Sequence, residues 1–223
     1  MKKEPKIIFE DSHLIVLSKP AGLLSQGEKT GSQNLVDWLR KYLGRKYVGL
    51  IHRLDRNTSG IMVVAKRTKA ARRLSEALKK REISRTYLGC ILGIVEKPVT
   101  WTHWLLKDTE KNEVKAVSQS NPKAKKAILH LTPKKSGLWN QTPITLAEFE
   151  LETGRSHQIR IQTSAKGKPL LGDPKYGKQI KDLPLDRPAL HSYQISFPHP
   201  MSGEILKFKA PLPSDIKKIT DQI

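Results

Sequence analysis

The sequence predicts an α+β protein: a mixed or antiparallel central sheet with flanking helices and a cleft. Three observations carry this. Seven short apolar, β-branched runs read as strands, only two segments show helical periodicity, and the two kinds do not alternate as regular βαβ units would. No internal repeat is visible, and one domain over residues 1–223 is expected.

In chain order, strands are expected at residues 7–9, 14–17, 61–65, 87–94, 144–151, 159–163 and 205–208, most of them bounded by turn residues. The segment "SQNLVDWLRKYL" places Leu35, Trp38, Leu39 and Tyr42 along one helical face. A second helix, "TKAARRLSEALKKRE", aligns Ala70, Ala71, Leu74, Ala77 and Leu78, with Thr68 as its expected N-cap. Residues 107–127 are polar and aperiodic, which predicts that they contain a mobile surface loop that a substrate could order.

Lys and Arg number 41 against 21 Asp and Glu, a net charge of +20 and a pI near 10. Solubility needs far less, so a polyanionic partner is expected. Residues 66–85 concentrate it, with nine Lys or Arg and two Glu, where a solvated face is the competing reading. No apolar stretch of about 18 residues, lipidation motif or secretory signal is present, so no membrane is expected and nucleic acid is the better partner. Cys90 is the single cysteine, which excludes an intramolecular disulfide and a thiolate zinc cluster and suits a reducing cytoplasm.

Three segments could carry chemistry. In "HRLDRNTSG" Asp55 lies between two arginines, and Gly60 leads into the apolar run "IMVVA", so the carboxylate sits at the mouth of a buried strand. An aspartate in a turn also commonly bonds its own backbone. In "HQIRIQT", read as a strand, Ile159 and Ile161 face one way and Gln158, Arg160 and Gln162 the other; a buried Arg160 would need a carboxylate partner. In "SRTYLGCILG", Tyr87 opens an apolar strand, where a tyrosine ordinarily packs in the core. "GKPLLGDP" has the glycine spacing of a P-loop but Asp173 in place of its lysine, and no G-x-G-x-x-G, H-E-x-x-H or G-x-S-x-G occurs. Metal and nucleotide cofactors are not expected.

"SKPAGLLSQG", "HRLDRNTSGIMVVAK", "SRTYLGCILG", "TGRSHQIRIQT" with "GKPLLGDPKYG", and "LHSYQISFPHPMSGEILKFKAPLP" together resemble, in order and spacing, the RluA group of RNA pseudouridine synthases. The likeness runs over residues 7–213. Ser18, Arg85, Gln162 and Lys168 depart from residues frequent in the group. The resemblance implies the pseudouridine synthase catalytic fold with its catalytic cleft, no separate N-terminal S4-like domain, and isomerisation of a specific uridine in ribosomal or transfer RNA without a cofactor. It makes Asp55 the essential carboxylate, acting as nucleophile or as base on the ribose, Arg160 its ion-pair partner, and Tyr87 the residue that stacks on the target base. Arg53 would enter the space left by the flipped nucleotide. His52, Arg155, His157 and Gln158, flanking these motifs, and Arg72, Arg73, Lys79, Lys80 and Arg81 of the basic helix complete the expected RNA-binding set. A monomer is expected. The alternative is a non-catalytic RNA-binding or RNA-folding protein on the same scaffold, which would not need Asp55, Tyr87 and Arg160 together.

Overall fold

The computed structural model describes residues 4–27, 31–178, 180 and 182–223. The first elements are β1 (Lys6–Glu10), β2 (Leu14–Lys19), α1 (Leu35–Leu43), β3 (Gly49–Leu50), β4 (Ser59–Ala65) and α2 (Thr68–Lys79). Next come β5 (Ser84–Leu92), β6 (Val99–Asp108), β7 (Glu113–Val117), β8 (Lys125–Trp139), β9 (Thr142–Leu151) and α3 (Gln158–Ala165). The last are β10 (Leu190–Pro198), β11 (Ile205–Lys209) and α4 (Ser214–Thr220). The α+β class is as the sequence predicts. Two compact units are formed, Met1–Arg85 with His191–Pro211, and Thr86–Leu190 with Leu212–Ile223.

In the first unit β2 lies antiparallel between β1 and β4, and β4 pairs in parallel with β10 through Ser59 opposite His191 and Gly60 opposite Ser192. Strand β11 returns antiparallel along β10, and β3 pairs with β4. All seven residues of β4 are buried, as befits a strand whose apolar run, residues 61–65, is covered on both faces. Helix α2 sets Ala70, Leu74 and Ala77, an i, i+4, i+7 stripe, into a core with Val16, Ile61, Val63 and Phe197. Gly60, at φ +122°, lies so close to β10 that a Cβ would collide with the Ser192 backbone, so no larger residue fits.

The helix ends differ partly from expectation. Arg67, extended at φ −138° and ψ 148°, is the N-cap of α2, and Thr68 is its first helical residue. Asn34 caps α1 by accepting from the Asp37 amide, and left-handed Gly44 ends it. Leu35 and Leu39 of α1 are buried, whereas Tyr42 is half exposed and stacks on Trp38.

In the second unit the strands run β5-β9-β8-β6-β7, antiparallel throughout. Ile216 and Ile219 of α4 pack with Cys90, Ile144 and Leu171. Ile161 of α3 packs with Leu105, Val114 and Ala127.

One expectation is corrected here. Residues 159–163 are helical, within α3, and Gln158 through Thr163 are all buried. The same letters satisfy both periods: Gln158/Gln162 and Ile159/Thr163 are i, i+4 pairs as well as alternating ones, and burial on all sides erases the amphipathic contrast. Residues 107–127 contain a surface loop at 118–124, as expected, and they also hold the end of β6, all of β7 and the start of β8. Only Val114 of β7 is buried, so too little of that strand alternates to be read.

Candidate active site

The Asp55 loop is fixed from both sides by the segment that follows β2. Ser25 Oγ donates to the Leu54 carbonyl at 2.7 Å and accepts from the Leu54 amide at 3.1 Å. On the other side the Arg56 carbonyl accepts from the Gly22 amide at 2.8 Å and from Lys19 Nζ at 3.1 Å, while Arg56 Nε donates to the Gly22 carbonyl at 3.1 Å. Lys19 is fully buried, and its ammonium also donates to the carbonyls of Pro20 and Leu23. Three carbonyl dipoles around one ammonium make its burial tolerable. The Thr58 amide donates to the Asp55 carbonyl at 3.0 Å, turning the chain into β4. Asp55 is thus a half-buried carboxylate whose two neighbours are each held by groups about thirty residues away in sequence.

At the start of β4, Ser59 Oγ and His191 Nδ1 lie 2.9 Å apart, and His191 Nε2 is 3.1 Å from the Ala210 carbonyl. His191 donates through Nε2 to that carbonyl, so Nδ1 accepts from the serine. This buried bond locks the short parallel register that starts the strand.

In the second unit Arg160 forms a two-pronged pair with Asp173: Nε to Oδ2 at 2.7 Å and Nη2 to Oδ1 at 2.8 Å. Both residues are buried. Burial pushes the Asp173 carboxyl up, but the Arg160 guanidinium and the amides of Lys175 and Tyr176 outweigh it and hold the group below the usual carboxylate range. The Arg160 guanidinium also lies 5.0 Å from the centre of the Tyr176 ring. The Tyr176 hydroxyl accepts from the Val114 amide and is 2.8 Å from His157 Nδ1. The carboxylate required by a buried Arg160 is therefore present as Asp173.

Tyr87 is buried on β5 opposite Phe149. Arg53, Arg72, Lys79, Lys80 and Arg81 are exposed in the first unit, and Arg155 is exposed in the second. Arg73 is exposed too, but donates to the Pro200 carbonyl at 2.6 Å. Two members of the expected RNA-binding set belong to the interior instead. Gln158 is buried: its Oε1 accepts from Thr153 Oγ1 and the Arg155 amide, and its Nε2 donates to the Ile128 carbonyl. His52 is buried and accepts from the Val63 amide at Nε2, 3.3 Å away.

Burial, with Arg85 nearby, pushes the His52 imidazole down to about 3 from an ordinary 6.5. The unfolded chain therefore takes up a proton near pH 6.5 that the folded chain refuses until about pH 3. Folding stability should fall as pH drops through that window, by at most about 5 kcal/mol at its lower end. Urea melts at pH 7, 5.5 and 4 measure it. His52→Gln, which keeps an acceptor but does not titrate, should flatten the fall; an equally steep fall would assign the acid sensitivity to other groups.

Lys19, Ser25 and Asp173 are the site residues that sequence reasoning missed. Lys19 and Ser25 stand in "SKPAGLLSQG", which carries no chemical motif of its own, and Asp173 stands where a P-loop would have its lysine. Among the described residues no three His, Cys, Asp or Glu come together to hold a metal, and no helix is long and apolar enough to cross a membrane.

The profile of the RNA pseudouridylate synthase family matches residues 13–165, and the chain belongs to that family. It is 36% identical, over 98% of its length, to ribosomal large subunit pseudouridine synthase D of Nitrosomonas europaea. It is 34% identical, over 97% of its length, to ribosomal large subunit pseudouridine synthase C of Pasteurella multocida. The chain spans 65% and 67% of those two proteins. The fold is also that of the human RNA pseudouridylate synthase domain containing 1, with a TM-score of 0.77 at 23% identity over 93% of this chain and 83% of that one.

Proposed function

We propose that the chain isomerises a uridine of large-subunit ribosomal RNA to pseudouridine, with Asp55 as the essential carboxylate. The observation that supports this reading best is the doubly clamped loop, which holds one carboxylate rigidly in a chain of net charge +20. The ribosomal RNA substrate follows the names of the relatives above.

In the reaction the N1–C1′ glycosidic bond breaks, the uracil turns, and a C5–C1′ bond forms. C5 loses a proton and N1 ends with one, so no atom is gained or lost. An ionised Asp55 serves either opening step, attack on the ribose or removal of a ribose proton. Arg160, whose Nε and Nη2 hold Asp173, is also assigned to pair with Asp55. Tyr87 is assigned to stack on the extruded base, and Arg53 to enter the gap that it leaves. The chain works as a monomer and a single catalytic unit in the cytoplasm, without metal, nucleotide or redox cofactor. Pseudouridine mapping of cellular RNA with and without the gene tests the proposal: one or more sites in large-subunit RNA should disappear, and an unchanged map would overturn it.

The exposed end of α2 is assigned to the phosphate backbone. Replacing Lys79, Lys80 and Arg81 with Ala should lower the slope of log affinity against log salt by up to about 2 to 3 on paired RNA, with little change in turnover at saturation. Binding titrations at several salt concentrations measure it. An unchanged slope would make this end of the helix a solvated face only.

A further inference from the structure

Helix α3 ends at Ala165, but the face of β6 beside it continues. Alternate residues Leu105, His103, Trp101 and Val99 share that face; Leu105 is buried, and the other three are partly open. There a groove of about 490 Å³ is lined by apolar Ile94, Val95, Val99 and Trp101. Lys97, Lys166 and Lys168 line it as well, against the single carboxylate of Glu96. All of these residues belong to the second unit.

The groove is built from tied parts. Gln162 Nε2 donates to the Trp101 carbonyl and to His103 Nδ1, both at 3.0 Å, fastening β6 to α3. Lys168 Nζ donates to the Ile94 carbonyl at 2.8 Å. That leaves Lys97 and Lys166 as the cations best placed to meet a ligand. An indole flanked by aliphatic side chains and a net positive charge is the pattern that binds single-stranded nucleic acid, bases on the ring and phosphates on the cations. A duplex, whose bases are already stacked, could not use the indole in this way.

We propose that this groove holds an unpaired stretch of the substrate RNA, one base stacked on Trp101 and adjoining phosphates at Lys97 and Lys166. The proposal rests on the reading of the chain as an RNA-modifying enzyme. It adds a contact made without Asp55, Tyr87 or Arg160.

The test is fluorescence titration of a short labelled oligouridylate and of a matching abasic oligomer. Trp101→Ala should weaken oligouridylate binding about tenfold and leave the abasic oligomer unaffected, while Trp101→Phe should recover most of the loss. The double variant Lys97→Ala, Lys166→Ala should weaken both probes and lower the single-strand salt slope by up to about 1.4. Thermal melts confirm that each variant is folded. Equal affinities and slopes in all proteins, or no binding of oligouridylate by the wild type, would overturn the groove. Uridine conversion on the same proteins separates the two readings. A wild type that converts uridine while the variants bind as it does overturns the groove alone. A wild type that converts none while Trp101→Ala still loses oligouridylate binding overturns the isomerase reading alone.

Discussion

Asp55→Asn should yield a folded protein that binds RNA as the wild type does and makes no pseudouridine at a measurable rate. The amide is the same size, and the bonds that shape the loop run through the backbones of residues 54 and 56, so the substitution leaves them in place. What it removes is the ability to attack the ribose or take its proton, and the loss should be on the order of 10³-fold or more. Single-turnover conversion of ribosomal RNA, with a binding titration in parallel, measures both halves. Turnover within about tenfold of wild type would remove Asp55 from the chemistry.

Arg160→Ala should show the second large effect, on stability and activity together. It strands the Asp173 carboxylate in the interior, and breaking a buried pair from one side costs about 3 to 5 kcal/mol. The two roles proposed for Arg160 can be separated. Arg160→Met with Asp173→Asn removes both charges, leaves an acceptor for the Lys175 and Tyr176 amides, and should recover much of the stability. Activity should stay lost if Arg160 also serves Asp55. If it returned with the stability, Arg160 would be a structural residue and no more. Arg160→Lys keeps a charge but not the fork, and should fall between these extremes.

The parts legible in the sequence were those where one physical signal dominates. Strand β4 was readable because its buried positions carry an unbroken apolar run, residues 61–65, that starts directly after a glycine nothing else can replace. The stripe of α2 was readable because one face of it is solvated. Helix α3 was misread because buried glutamines mimic strand alternation. Gln158 and Gln162 reach carbonyls on neighbouring strands, bonds whose partners lie about thirty or more residues off and leave no local trace. That Arg160 also holds Asp173 left no trace in the sequence for a related reason. The need for a carboxylate followed from burial, but which carboxylate depends on a turn thirteen residues downstream. Strand β8 hid its alternation of Ala127, Leu129 and Leu131 behind lysine-rich flanks.

The clamp on the Asp55 loop has a dynamic consequence. The amides of Leu54 and Gly22 are backbone donors in that clamp, one to a serine hydroxyl and the other to the Arg56 carbonyl. Each is released only when the two segments part, whereas the amides of β4 require the sheet itself to open. Local openings of this kind cost less free energy than global unfolding. The Asp55 loop can therefore be lost from a molecule that is otherwise native. Hydrogen exchange at these two amides would record that loss, and mild denaturant should extinguish conversion before circular dichroism changes.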